Sequence, residues 1–196
     1  MDDNLPQTET EFWKVAQGWL TPAERELLFN ISKNIPKPFP TILNIGVEYG
    51  ASLICFLSPR GDVSVFGIDL DVSKWRYQVP NVNLIQCDSD SEYEWWARYT
   101  DVLFIDGGHS YEQTLNDLRY TRHLKKDGIL AIHDCYSWEN PGVVRENAPE
   151  VNAAVEEFLR TTRYEFHEMP YVDSIRWFVL KDKAPKFGKG VVKGEK

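Results

Sequence analysis

A chain of 196 residues with a formal net charge of −8 can bury one sizeable core, and its 42% hydrophobic and 27% charged residues describe an ordinary globular protein. Its acidic excess is spread along the chain, which argues against a partner held by phosphate neutralisation, so nucleic acid is not expected. No run approaches the ~20 apolar residues that span a bilayer, the N-terminus lacks a signal peptide's basic and apolar regions, and Cys55, Cys87 and Cys135 suit reduced thiols. A cytoplasmic protein without a membrane partner is the expectation.

Residues 1–40 read as an N-terminal helical segment. Thr21-Pro22-Ala23-Glu24 combines an N-cap, a proline at the first helical position and a capping-box glutamate. Leu27, Leu28, Ile31 and Ile35 follow at helical spacing, and Pro36, Pro38 and Pro40 stop the helix. From residue 41 short apolar runs alternate with helical stretches. Strands are predicted at 41–45, 63–68, 82–85, 102–105 and 129–132, the last after an Asp127-Gly128 turn. Ser110 and Gln113 mark a boxed helix start, with Leu115 and Leu118 facing inward. Runs that are apolar throughout, separated by helices, indicate parallel strands covered on both faces. An amphipathic helix then begins at Pro149, and two alternating runs, 164–167 and 175–179, read as an antiparallel edge hairpin. The fold class is α/β: a Rossmann-like, doubly wound, seven-stranded sheet, mostly parallel, over residues 41–182. Residues 183–196, with Lys183, Lys186, Lys189, Lys193 and Lys196, read as a basic flexible tail.

Ligands of such sheets sit beyond the carboxyl ends of the strands, so the residues just after each strand carry the functional information. After the first come Asn44, Gly46, Glu48, Gly50 and Ser52; the glycines permit a tight turn and a close approach to a cofactor. After the second comes Asp69, about twenty residues beyond that turn, where an acid accepts hydrogen bonds from ribose hydroxyls. Asp88, after the third, is placed to reach an adenine amino group. Trp75 suits either an adenine cover or sheet packing. After the fourth and fifth strands come Asp106-Gly107-Gly108-His109 and His133-Asp134. Those strand ends should lie side by side, so that Asp106, His109, His133 and Asp134 converge, and the two carboxylates with one or two of the imidazoles, Asp106, His133 and Asp134 foremost, can gather Mg²⁺ or Mn²⁺. His109 is a natural general base, since imidazole titrates near neutrality. Tyr136, Trp138 and Arg145 lie on a segment expected to overhang the site.

The string IDGGHSYEQTLNDLRYTRHLKKDGILAIHD resembles the methyltransferase family of macrocin and macrolide-sugar O-methyltransferases and cephalosporin-hydroxylase-like proteins. The similarity covers roughly residues 41–160 and is sharpest over 104–134. It implies S-adenosylmethionine as cofactor, Asp106 as metal ligand and cofactor contact, His109 as catalytic base, and His133 and Asp134 as further ligands. The chain departs from that family at Asn44 and His133, where acids are usual. Three readings follow: a metal-assisted O-methyltransferase of a small hydroxylated molecule, sugar or natural-product-like; a metal-independent methyltransferase using His109; and a non-catalytic nucleotide-fold binding protein. The expected partners are a small-molecule acceptor and, at most, a second copy of the chain.

Overall fold

In the first strand, β1 (Thr41–Ile45), Ile42 faces one side of the sheet while Leu43 and Ile45 face the other, and all three are buried. Alternation with apolar residues on both faces requires a cover on each side. The computed structural model describes residues 12–77, 79–91, 100–137, 139, 143 and 149–182. Trp138 and Arg145, as well as residues 1–11 and the tail 183–196, lie outside the described residues.

The remaining strands are β2 (Ser64–Asp69), β3 (Val82–Gln86), β4 (Thr100–Ile105), β5 (Leu124–Ile132), β6 (Glu165–Glu168) and β7 (Arg176–Asp182). They form one seven-stranded sheet in the order β3-β2-β1-β4-β5-β7-β6. The first five are parallel, and β7 runs antiparallel between β5 and β6. Helices α1 (Pro22–Lys33) and α2 (Ala51–Leu57) cover the face of Ile42 and Phe104. Helices α3 (Tyr111–Leu118) and α4 (Pro149–Thr161) cover the face of Leu43 and Leu103. This is the doubly wound arrangement expected.

The capping box opens α1 as its sequence demands: Thr21 Oγ1 accepts from Glu24 N–H at 3.2 Å, and Glu24 Oε2 accepts from Thr21 N–H at 2.8 Å. Arg25, 5% exposed, donates to the carbonyls of Trp13, Gly18 and Leu20. A buried guanidinium is costly unless satisfied, and satisfying it pins residues 13–20 to α1. Two strands start earlier than the apolar runs do. β4 begins at Thr100 because Asp101, buried, receives Thr41 N–H at 2.8 Å and Lys125 at 3.0 Å and pairs with Lys37. β5 begins at Leu124, and the predicted turn is instead an irregularity within it: Thr100 pairs with Leu124 but Val102 with Ile129.

Register positions the site. Ile45 lies opposite both Ile68 and Ile105, and Ile105 opposite Ile132. The residues after β1, β4 and β5 therefore leave the sheet at one level, at the switch in strand order between β1 and β4.

Candidate active site

The turn after β1 is built on Gly46. Its φ is +82°, and a Cβ there would stand 1.9 Å from the Asp106 carbonyl oxygen. Asn44 is fully buried and donates its amide to the Gly46 carbonyl, so it supports the turn. The carboxylate of Asp69 orders the next residues: one oxygen accepts from Val47 N–H at 2.7 Å and Glu48 N–H at 2.9 Å, the other from Asp71 N–H at 2.9 Å. Each carboxylate oxygen can accept more than one hydrogen bond, so ribose hydroxyls remain chemically suitable donors. Gly50 (φ +86°) lies beneath Trp75, whose ring a Cβ would meet at 2.3 Å. Trp75 thus packs on the turn and edge-on to Tyr77.

Opposite the turn stands a cluster of acids and imidazoles. His133 leaves β5 buried, its Nδ1 2.9 Å from Asp106 Oδ1 and 3.5 Å from Asp134 Oδ1. That Nδ1 lies in ion-pair range of both carboxylates without a hydrogen-bonding geometry to either. Its Nε2 lies 3.3 Å from Glu24 Oε2 of α1. Asp134 adopts the left-handed backbone (φ +60°), a strained choice outside glycine that Asp tolerates better than most residues. This conformation puts its Oδ2 2.9 Å from His109 Nε2. Burial opposes charge on His133, but Asp106, Asp134 and Glu24 outweigh it and hold its pKa well above the ordinary imidazole value. Burial likewise opposes charge on Asp134, and His109 and His133 outweigh it, leaving the carboxyl far below its usual range. The donor set Asp106, His133 and Asp134 offers three ligand atoms within 4.8 Å of one another.

Both features face one cavity of about 450 Å³, lined by Gly46, Glu48, Ser52, Asp69, Asp106, His109, His133 and Asp134 among others. That is within the roughly 300–1,000 Å³ of small-molecule sites. Most of the predicted residues therefore converge; Asn44, Gly50 and Asp88 do not line it. Asp88 is exposed, and its Oδ1 accepts from Asp90 N–H at 3.0 Å. Tyr136 packs edge-on to Tyr171 instead of overhanging the cavity. Two contributions were missed by sequence reasoning. Gly18, Trp19, Leu20 and Thr21 form a wall of the cavity, and Glu24 enters it from α1. The only sequence signal for Glu24 was its capping box, which explains its place on the helix and not its reach across the site.

Strand order and a cavity at the switch point define the architecture of the class I S-adenosylmethionine-dependent methyltransferases. A family model described as a methyltransferase domain matches residues 43–135, which run from β1 to just past the end of β5. A curated relative, the uncharacterized protein R132 of Acanthamoeba polyphaga mimivirus, is 27% identical over 149 residues, which are 66% of this chain and 65% of that protein, just under two thirds of its length. Among solved structures, the SAH-bound methyltransferase PaMTH1 of Podospora anserina matches with TM-score 0.68 at 14% identity, covering 91% of this chain and 89% of that one. The O-methyltransferase NovP matches with TM-score 0.64 at 12% identity, covering 91% of each chain. Among the described residues, no helix is long and apolar enough to cross a membrane.

Proposed function

We propose that the protein transfers the methyl group of S-adenosylmethionine to a hydroxyl of a small acceptor, sugar or natural-product-like, with Mg²⁺ or Mn²⁺ held by Asp106, His133 and Asp134. The observation that carries this reading is the shared cavity: the Gly46–Ser52 turn and Asp69 on one side, three convergent ligand atoms on the other. The cluster fits a divalent ion chemically. Carboxylate oxygens suit hard cations, and Nδ1 of His133 is a buried polar atom without a hydrogen-bond partner, facing two carboxylates.

When bound, the cofactor supplies an electrophilic methyl sulfonium and the cation a Lewis acid for the acceptor hydroxyl. Gly46, Glu48, Ser52 and Asp69 form the cofactor side, Asp69 accepting from ribose. His109 receives the hydroxyl proton, and Asp134, 2.9 Å away, orients the ring and stabilises the imidazolium. Trp19 is 82% exposed on the cavity wall and offers an aromatic face to the acceptor. The net charge of −8 supports a small acceptor over a nucleic acid.

Methyl transfer from labelled S-adenosylmethionine to a panel of sugar and phenolic hydroxyls, with Mg²⁺ or with chelator, tests the reading. Turnover is expected with the ion and not in chelator, and Asp134→Ala should abolish it while S-adenosylhomocysteine still binds. Full turnover in chelator removes the ion and leaves the second reading, which the His109–Asp134 pair favours: a metal-independent base. No binding of either adenosyl ligand would defeat both.

A further inference from the structure

We infer that Glu24 is a positioning residue: by accepting the Nε2–H of His133 it turns that ring's Nδ1 toward Asp106 and Asp134 and so completes the divalent-cation site. This rests on the metal-assisted reading above. A capping-box glutamate needs one hydrogen bond, to the N-cap amide, and glutamates are seldom fully buried unless paired. Glu24 is 1% exposed and does far more. Its Oε2 takes Thr21 N–H at 2.8 Å and faces His133 Nε2 at 3.3 Å. Its Oε1 takes Ser174 N–H at 3.0 Å and Ser174 O–H at 2.6 Å. The carboxylate is thereby fixed from two directions, by α1 and by the loop entering β7, before it meets the imidazole. A histidine that ligates a metal through one nitrogen characteristically donates the other N–H to a carboxylate, which fixes the tautomer and raises ligand basicity. Glu24 stands where that partner belongs, and the opposite nitrogen faces the two aspartates.

The test is Mn²⁺ binding to the full chain, followed by electron paramagnetic resonance titration. Glu24→Gln keeps the side-chain volume and a residue that still caps. It places an NH₂ among four donors and removes the charge. It is expected to weaken Mn²⁺ binding roughly 10- to 100-fold, the usual cost of losing such a partner. Ser32→Ala, which removes a buried bond from the far end of α1 to the Phe56 carbonyl and touches none of Glu24's partners, should stay within about threefold of the unmodified chain. Equal losses in the two variants would reduce Glu24 to a structural role and overturn the inference, as would an unchanged affinity in Glu24→Gln. Failure of the unmodified chain to bind Mn²⁺ would instead overturn the metal reading itself, and this inference with it. A readout that needs no variant is ¹⁵N-histidine NMR of the chain loaded with Mg²⁺. The Nε2–H tautomer is expected for His133, and the Nδ1–H tautomer would refute its positioning by Glu24.

Discussion

Gly46 is under two constraints that only glycine meets at once: a left-handed φ of +82° and a neighbouring carbonyl that a Cβ would approach to 1.9 Å. The backbone penalty alone is about 1–2 kcal/mol for an L-residue. The overlap is with main chain of a second strand end, which cannot swing aside as a flexible side chain can. Gly46→Ala should therefore lower the urea midpoint and, by parting β1 from Asp106, weaken S-adenosylhomocysteine binding at least tenfold. An alanine variant with unchanged midpoint and affinity would show that the turn relaxes. His109 presents the opposite case, being half-exposed and joined to the cluster through Asp134. On the proposed reading, its loss removes the proton acceptor for the hydroxyl and little packing. His109→Gln is expected to cut turnover by about 10²–10⁴-fold, the range for a general base, with cofactor affinity and melting temperature nearly unchanged. A variant that keeps most of its turnover would remove His109 from that role.

Helix α1 joins stability to the site. The Thr21 hydroxyl accepts from Glu24 N–H and donates to Asp173 Oδ2 at 2.6 Å, tying the helix start to the loop before β7. Thr21→Ala loses a cap worth about 1 kcal/mol together with that tie. Urea unfolding should register at least that loss, and hydrogen exchange should place the loosening in α1 and around Ser174. A loss below about 0.3 kcal/mol would mean that Glu24's own bonds hold the helix start without the cap. The elements themselves were largely legible. Thr21-Pro22-Ala23-Glu24 announced α1, Ser110 announced α3, and the polar residues after each apolar run marked the site because strand ends of a doubly wound sheet must gather there. The first half of β5 was hidden, since Lys125, Lys126 and Asp127 break the apolar pattern and their pairing depends on β4. The reach of Glu24 was hidden for a different reason: its partners His133 and Ser174 are 109 and 150 residues away, and no local pattern encodes such a contact. Asp88 also serves a local turn through Asp90 N–H, a contact that its place at a strand end does not announce.

Across the molecule, buried ionisable groups set how stability follows pH. Asp134 and Glu24 have lowered pKa values, so their stabilisation is present above the unfolded carboxyl range and is lost as pH falls through the folded values. His133 is raised from 6.5; its contribution is full below that value and is lost as pH climbs through the folded one. Asp117, 1% exposed on α3, is pushed by burial from 3.8 up to about 6. The folded state then holds a proton that the unfolded chain releases, so stability declines between those values and the full penalty applies above them. Together these signs favour a maximum in mildly acidic solution. Asp117 also offers a separable test, because Asn keeps its shape and cannot ionise. Asp117→Asn should match the unmodified protein near pH 4. It should gain on it progressively to pH 6 and exceed it by about 2–3 kcal/mol at pH 8, because a tenfold change in proton affinity is worth about 1.4 kcal/mol. For a chain of this size that is a rise of roughly 4–12 °C in melting temperature. Parallel melting curves for the two proteins from pH 4 to 8 would mean that Asp117 ionises in the folded state as freely as in the unfolded one, with the loop at Ser89 supplying what burial takes away.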